Sequence, residues 1–309
     1  MKRKTILLLA IAFQLTFAFA QSTLSTDTSV KVLPHWKKGE THAVFIKSIT
    51  DDFPNGQSKN YQTTFNAAFT VTEKDTSGYI VDWIYTKANL APNEVVLENS
   101  IIANLLNTKL SVRLTLTGRF KELINADEVK AAADKAVDNL IAGSENNPTM
   151  NVQFKAAKQM IASKQGLEIA LLKHIKFYNF SFGFNYKTTT TQTNKLKLPN
   201  PLGGQPFDAI EKVQLTKLDN SKNICVIETS KTTDGAALKT EVVEYLKKVS
   251  QKDGKAIEDE LQHAHLEFSE SSMQQLDFQK GILQKSNITR KTNFGFQGRT
   301  TVLEIEAAD

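Results

Sequence analysis

Between residues 36 and 124 apolar and polar side chains alternate, the period-2 signature of strands that bury one face. In 61–71 the odd positions are Tyr61, Thr63, Phe65, Ala67, Phe69 and Val71, while the even ones are Gln62, Thr64, Asn66, Ala68 and Thr70. Residues 43–49 precede this strand across Pro54, Asn55 and Gly56, and Asn-Gly readily supplies the positive φ angles of a hairpin turn. Residues 79–85 follow with Tyr79, Val81, Trp83 and Tyr85 on one face, so a three-stranded meander is predicted. A second hairpin joins Leu110, Val112, Leu114 and Leu116, in register, to 120–124 across Thr117, Gly118 and Arg119.

The period then changes to 3.6. Asn125 followed by Glu128 reads as a helix capping box, and Val129, Ala133, Val137, Leu140 and Ile141 form one stripe before Gly143 stops the helix. A second helix is expected over 150–175, with Phe154, Ala157, Ile161, Leu167, Leu171 and Ile175 near one face and Gly166 as an irregularity. Strands return at Tyr178, Phe180, Phe182, Phe184 and Tyr186, five aromatic residues at i, i+2 spacing. Further strands are expected at 211–218, 223–229, 264–269, 275–283 and 299–306, with a helix at 236–249. The Pro- and Gly-rich stretch 195–207 reads as an irregular loop.

Long strands with one apolar face, and helices to cover that face, define an α+β class built on a curved antiparallel sheet. Residues 36–175 and 176–309 share an order of strands and a helical segment, which reads as two duplicated halves packed as one unit. No matching residue string joins the two.

Charge and composition change this picture at the N-terminus. Lys2, Arg3 and Lys4 precede an apolar run from Ile6 to Phe19, and Ala18 and Ala20 stand at the −3 and −1 positions of a cleavage site before Gln21. Residues 1–20 therefore read as a secretory signal peptide, directing the protein to the periplasm or the extracellular space. Residues 21–35 read as a mobile lead-in. The chain has 309 residues and a formal charge of +5; three of its basic residues lie in the leader, so the remainder carries +2. The other Arg residues are Arg113, Arg119, Arg290 and Arg299, and scattered Lys reads as solvation, which disfavours a nucleic-acid partner. No segment after the leader is continuously apolar for a membrane span. The single Cys225 lies in an apolar run and reads as a buried thiol without a disulfide.

The Trp36, Lys37, Lys38, Gly39, Glu40 start, the Leu116-to-Phe120 hairpin and the helices leading into Tyr178–Tyr186 resemble exported proteins of Gram-negative bacteria whose activity is uncharacterised. The predicted architecture is also similar to that of periplasmic lipoprotein carriers, in which a curved sheet is closed by helices over an apolar cavity. That second resemblance is one of architecture and implies an apolar cavity; separately, no cofactor is expected.

Motifs for nucleotide, zinc-protease and serine-hydrolase chemistry are missing from the sequence. His263, His265 and Glu267 alternate so that one strand face could offer them to a metal, although this is also the polar face of a half-buried strand. Glu258, Asp259, Glu260, Glu304 and Glu306 could supply a paired acid and base, against the simpler reading of solvated faces. The stripe Tyr178, Phe180, Phe182, Phe184 and Tyr186 either packs beneath the central helices or lines a ligand cavity. The expected function is non-enzymatic binding of an apolar or amphipathic ligand. Recognition of an envelope protein and hydrolysis by dispersed carboxylates are the alternatives.

Overall fold

The computed structural model describes residues 29–54, 57–91, 96–198, 200, 206–249, 257, 259, 261, 264, 266–295 and 297–308. The predicted leader 1–20 and the Asn55-Gly56 turn fall outside the described residues, as do His263, His265, Glu258 and Glu260.

The alternating stretches form strands β2 (Thr41–Pro54), β3 (Lys59–Asp75), β4 (Gly78–Asn89), β5 (Lys109–Leu114) and β6 (Phe120–Leu123). The later part contributes β8 (Gln192–Leu198), β9 (Phe207–Asp219), β10 (Ile224–Thr233), β11 (Glu267–Asp277), β12 (Ile282–Asn293) and β13 (Gln297–Ala308). All eleven belong to one open, curved antiparallel sheet in the order β6-β5-β4-β3-β2-β13-β12-β11-β10-β9-β8. Two meanders thus meet where β2 pairs with β13, from Ala43 opposite Ala308 to Pro54 opposite Gln297. Curvature brings the outer edges towards each other: Phe120 of β6 and Gln192 and Asn194 of β8 line one cavity. Near them β1 (Ser29–Lys31) and β7 (Asn185–Lys187) form a separate two-stranded sheet.

Six helices are described: α1 (Leu97–Ala103), α2 (Ala126–Gly143), α3 (Pro148–Ile161), α4 (Lys164–Leu171), α5 (Lys173–Tyr178) and α6 (Gly235–Val249). The first five pack on the inner face of the sheet. Val129, Ala133 and Val137 of α2, with Leu167, Ala170 and Leu171 of α4, join Phe65, Phe69, Trp83, Ile46 and Ile305 of the sheet in one cluster. Each large side chain so buried contributes about 1.5–3 kcal/mol. Helix α6 carries Leu238, Val242 and Val243 into a second, smaller cluster with Phe207, Phe268 and Phe294.

Several expectations are corrected. The helix predicted over 150–175 is three helices. Asn147 caps α3 by accepting from the Met150 amide (3.2 Å), and Ser163 caps α4 by accepting from the Gly166 amide (3.0 Å). At Gly166 a Cβ would stand 1.9 Å from the Met160 carbonyl oxygen, so the chain can turn back at this point only with glycine. The capping box at Asn125 does not form. The Asn125 side chain instead accepts from the Ser111 amide (2.9 Å) and donates to the Lys109 carbonyl (2.9 Å), pinning the helix to β5.

The strand predicted over 275–283 is a hairpin. Asp277 accepts from the amides of Gln279 (3.1 Å) and Lys280 (2.8 Å), and Gly281, at φ +67°, reverses the chain. A side chain at Gly281 would meet the Leu33 carbonyl at 2.1 Å, while Trp36 Nε1 donates to the Gly281 carbonyl (2.7 Å). Residues 29–35, expected within the lead-in, are packed, because Val30 and Val32 alternate into the core. Residues 195–198 belong to β8 rather than to a loop.

Candidate functional site

The five aromatic residues predicted on one strand do not lie on one strand. Tyr178 ends α5, residues 179–183 turn, and Tyr186 lies in β7. Side chains that a strand would align therefore point different ways. Tyr178 stacks on Phe69 (5.4 Å between centroids) and meets Trp83 (5.9 Å), while Phe182 packs on Trp36 (5.6 Å) and is wholly buried. These two are core. Phe180 and Phe184, with the buried core residue Tyr186 beneath them, line a cavity of about 330 Å³ between the two sheet edges, together with Arg119, Phe120, Lys176, Asn179, Gln192, Asn194 and Glu211. Cations sit over its rings: the Arg119 guanidinium 4.7 Å from Phe184, Lys176 4.7 Å from Phe120, and Lys231 5.0 Å from Phe180.

Lys231 belongs to a feature that sequence reasoning missed. On the inner face of the sheet, Glu211 of β9 stands opposite Lys231 of β10, Lys231 opposite Glu270 of β11, and Glu270 opposite Arg290 of β12. Acid and base alternate across four neighbouring strands. Lys231 Nζ lies 2.7 Å from Glu270 and 3.9 Å from Glu211, and Arg290 donates through Nε (3.2 Å) and Nη2 (2.6 Å) to one Glu270 oxygen. Glu270 is only 8% exposed. Burial works to raise its pKa, but the charges and hydrogen bonds of Lys231 and Arg290 outweigh burial and hold the carboxyl below its ordinary value.

The charged row ends at a second, larger cavity of about 420 Å³. Its walls come from both hydrophobic clusters, with Phe177, Ile288 and Leu303 on one side and Leu198 and Phe268 on the other. Lys173, Arg290 and Arg299 supply positive charge to the lining, and Glu98 and Glu270 negative. Arg299, on β13, is held by Asp52 directly opposite on β2, through Nε (3.2 Å) and Nη2 (3.0 Å).

The remaining candidates are dispersed. Glu267 opens β11 and accepts from Ser269 Oγ (2.6 Å). Glu304 and Glu306 pair with Lys47 (3.6 Å) and Lys285 (2.5 Å), and Asp259 is exposed. Among the described residues no group of three His, Cys, Asp or Glu is placed to hold a metal. His174, near the end of the helix predicted over 150–175, is buried at the start of α5 with Nδ1 2.8 Å from the Tyr85 hydroxyl; burial, then the Lys173 charge, lowers its pKa well below the ordinary value. Burial pushes the Cys225 thiol up to about 12, which suits packing rather than nucleophilic attack.

Sheet, helix layer and flanking cavities define a class of α+β proteins with a covered curved sheet. No protein-family model and no curated protein matches the sequence. Among solved structures, one of lipovitellin concerned with lipid–protein interactions is 10% identical at a TM-score of 0.45, the match covering 88% of this chain and 25% of that one. A domain from Vibrio parahaemolyticus named for outer membrane lipoprotein sorting is 9% identical at a TM-score of 0.16, over 87% of this chain and 84% of that one. The chain thus spans a quarter of the lipovitellin chain. At these values neither likeness assigns an activity. Among the described residues no helix is long and apolar enough to cross a membrane.

Proposed function

We propose that this is an exported protein that binds an apolar or amphipathic ligand between its sheet and its helices, without catalysing a reaction. The observation that carries the reading is the cavity of about 420 Å³ where the two hydrophobic clusters part, walled by Phe177, Leu198, Phe268, Ile288 and Leu303. Small-molecule sites are concave, mostly apolar and roughly 300–1,000 Å³, with a few fixed polar groups, and the charged row provides such groups at its edge. Phe180, Phe184 and Tyr186 form an accessory wall at the smaller cavity, where an extended ligand makes further contact. Tyr178 and Phe182 have a packing role.

The test is fluorescence titration of the purified protein with dansylated fatty acids and phospholipids, repeated on Ile288→Trp, which fills the cavity. Saturable binding that weakens at least about tenfold in the variant, at unchanged thermal midpoint, supports the reading. Failure of every apolar probe to saturate overturns it.

A further inference from the structure

Arg290 and Arg299 lie on adjacent strands, and the register sets Arg290 opposite Thr301 and Arg299 opposite Thr292. They are therefore diagonal neighbours on the inner face, about 7–8 Å apart across the two strands and within mutual reach of long side chains. Each guanidinium is held by a carboxylate through the same two nitrogens, Arg290 on one oxygen and Arg299 on two. Nε and Nη2 of Arg290 donate to Glu270, and Nε and Nη2 of Arg299 donate to Asp52. A planar guanidinium has five N–H donors in a fixed fork, so anchoring that edge leaves the Nη1 side as a donor pair. Among the described residues neither Nη1 has a partner. Both residues line the larger cavity.

Exposure is divided unevenly within the first pair. The Glu270 side chain is 10% exposed, whereas that of Arg290 is 53% exposed. Glu270 is already matched by two cations, Lys231 and Arg290, at bonding distance. The row is balanced in charge, Glu211 and Glu270 against Lys231 and Arg290, but Glu211, Glu270 and Lys231 are its more buried members, so the group it exposes to the cavity is the Arg290 guanidinium. Arginine keeps its charge at any physiological pH, so such a site discriminates by the headgroup of the ligand and not by its own titration.

We propose that the cavity selects amphiphiles with an anionic headgroup. A carboxylate or phosphate lies against the Nη1 sides of Arg290 and Arg299, and the hydrocarbon chain runs along Phe177, Phe268, Ile288 and Leu303. This rests on the binding role proposed above. Charge-assisted, two-point contact to guanidinium fixes the orientation of the ligand, and the supporting carboxylates Glu270 and Asp52 keep both forks turned towards the cavity.

The experiment compares 11-(dansylamino)undecanoic acid with its primary amide on the purified protein, with dodecanoate and dodecyl phosphate as competitors. The acid should bind about tenfold or more tightly than the amide, the loss expected when a charge-assisted contact becomes a neutral one. Arg299→Met should bring the acid to the level of the amide and leave the amide unchanged. Arg290→Met strands Glu270 and can fail to fold, so Arg290→Met is combined with Glu270→Gln, and the same convergence is expected. The two competitors distinguish carboxylate from phosphate: whichever displaces the acid at lower concentration names the headgroup. Equal binding of acid and amide overturns the inference while leaving the ligand reading intact. Failure of both probes to bind overturns the ligand reading itself, and the inference with it.

Discussion

His174 shows how one buried ionisable side chain can set the acid limit of a fold. It is wholly buried, neutral, and joined to the Tyr85 hydroxyl at 2.8 Å. In the unfolded chain the imidazole protonates near its ordinary value of 6.5, while in the folded state burial delays protonation to well below that value. The unfolded state then binds the extra proton, so stability is full above about pH 6.5 and is lost as pH falls below it, at up to about 1.4 kcal/mol per pH unit. Urea melts at successive pH values should show this slope. His174→Gln should flatten it, at a cost of about 1–3 kcal/mol at neutral pH from the altered bond to Tyr85. A slope unchanged in the variant would assign the acid sensitivity to carboxylates instead. The aromatic residues divide in the same residue-by-residue way. Phe182→Asp places a charge against Trp36 in the sealed core and should abolish folding, read as loss of the near-UV circular dichroism signal. Phe184→Asp, at a side chain 37% exposed, should fold and lose about 1 kcal/mol or less.

At the scale of elements, the break between α3 and α4 follows from two small residues. Ser163→Ala removes the cap on the Gly166 amide and should cost about 1 kcal/mol. Gly166→Ala sets a methyl against the Met160 carbonyl and should cost about 2–4 kcal/mol, both measured by denaturant midpoint. An alanine at 166 that left stability untouched would show that the turn can relax. These elements also show what was legible in the chain. β3, β4 and α6 follow directly from periodicity, because an apolar face towards one core leaves a clean period of 2 or 3.6. The break at Ser163 was hidden, since α3 and α4 both carry apolar stripes that run on as though continuous. The aromatic spacing of 178–186 imitated a strand because a helix end, a turn and a short strand happen to bring a ring at every second position. β12 escaped because much of its sequence is polar, as its inward positions include Ser286, Arg290 and Thr292 beside Ile288.

At the scale of the molecule, the row of charges is a property of pairing that no single strand reveals. Glu211, Lys231, Glu270 and Arg290 each read locally as a surface residue, and only the register of four strands sets them opposite one another. Glu270→Ala leaves Lys231 and Arg290 without their shared anion and should cost about 3–5 kcal/mol. Replacing Lys231, Glu270 and Arg290 together by Met, in a background where Glu211→Gln leaves no carboxylate of the row without its cation, should cost much less or even stabilise, because the charges no longer have to be desolvated. Differential scanning calorimetry of the two variants decides between these outcomes: if the triple replacement is the more damaging, the row is retained for stability rather than for the ligand.

The joint between β2 and β13 carries a consequence in time. The centre of the sheet is closed by residues 43–54 pairing with 297–308, whereas its edges, β6 and β8, come from the interior of the chain. During synthesis the first long strand must wait for the last one, and contacts of such separation in sequence are slow to form. Both meanders can assemble early, but they cannot be joined until the final strand has been delivered. Until then the chain exposes the unpaired edge of β2, and a chaperone that recognises extended backbone has a defined segment to hold.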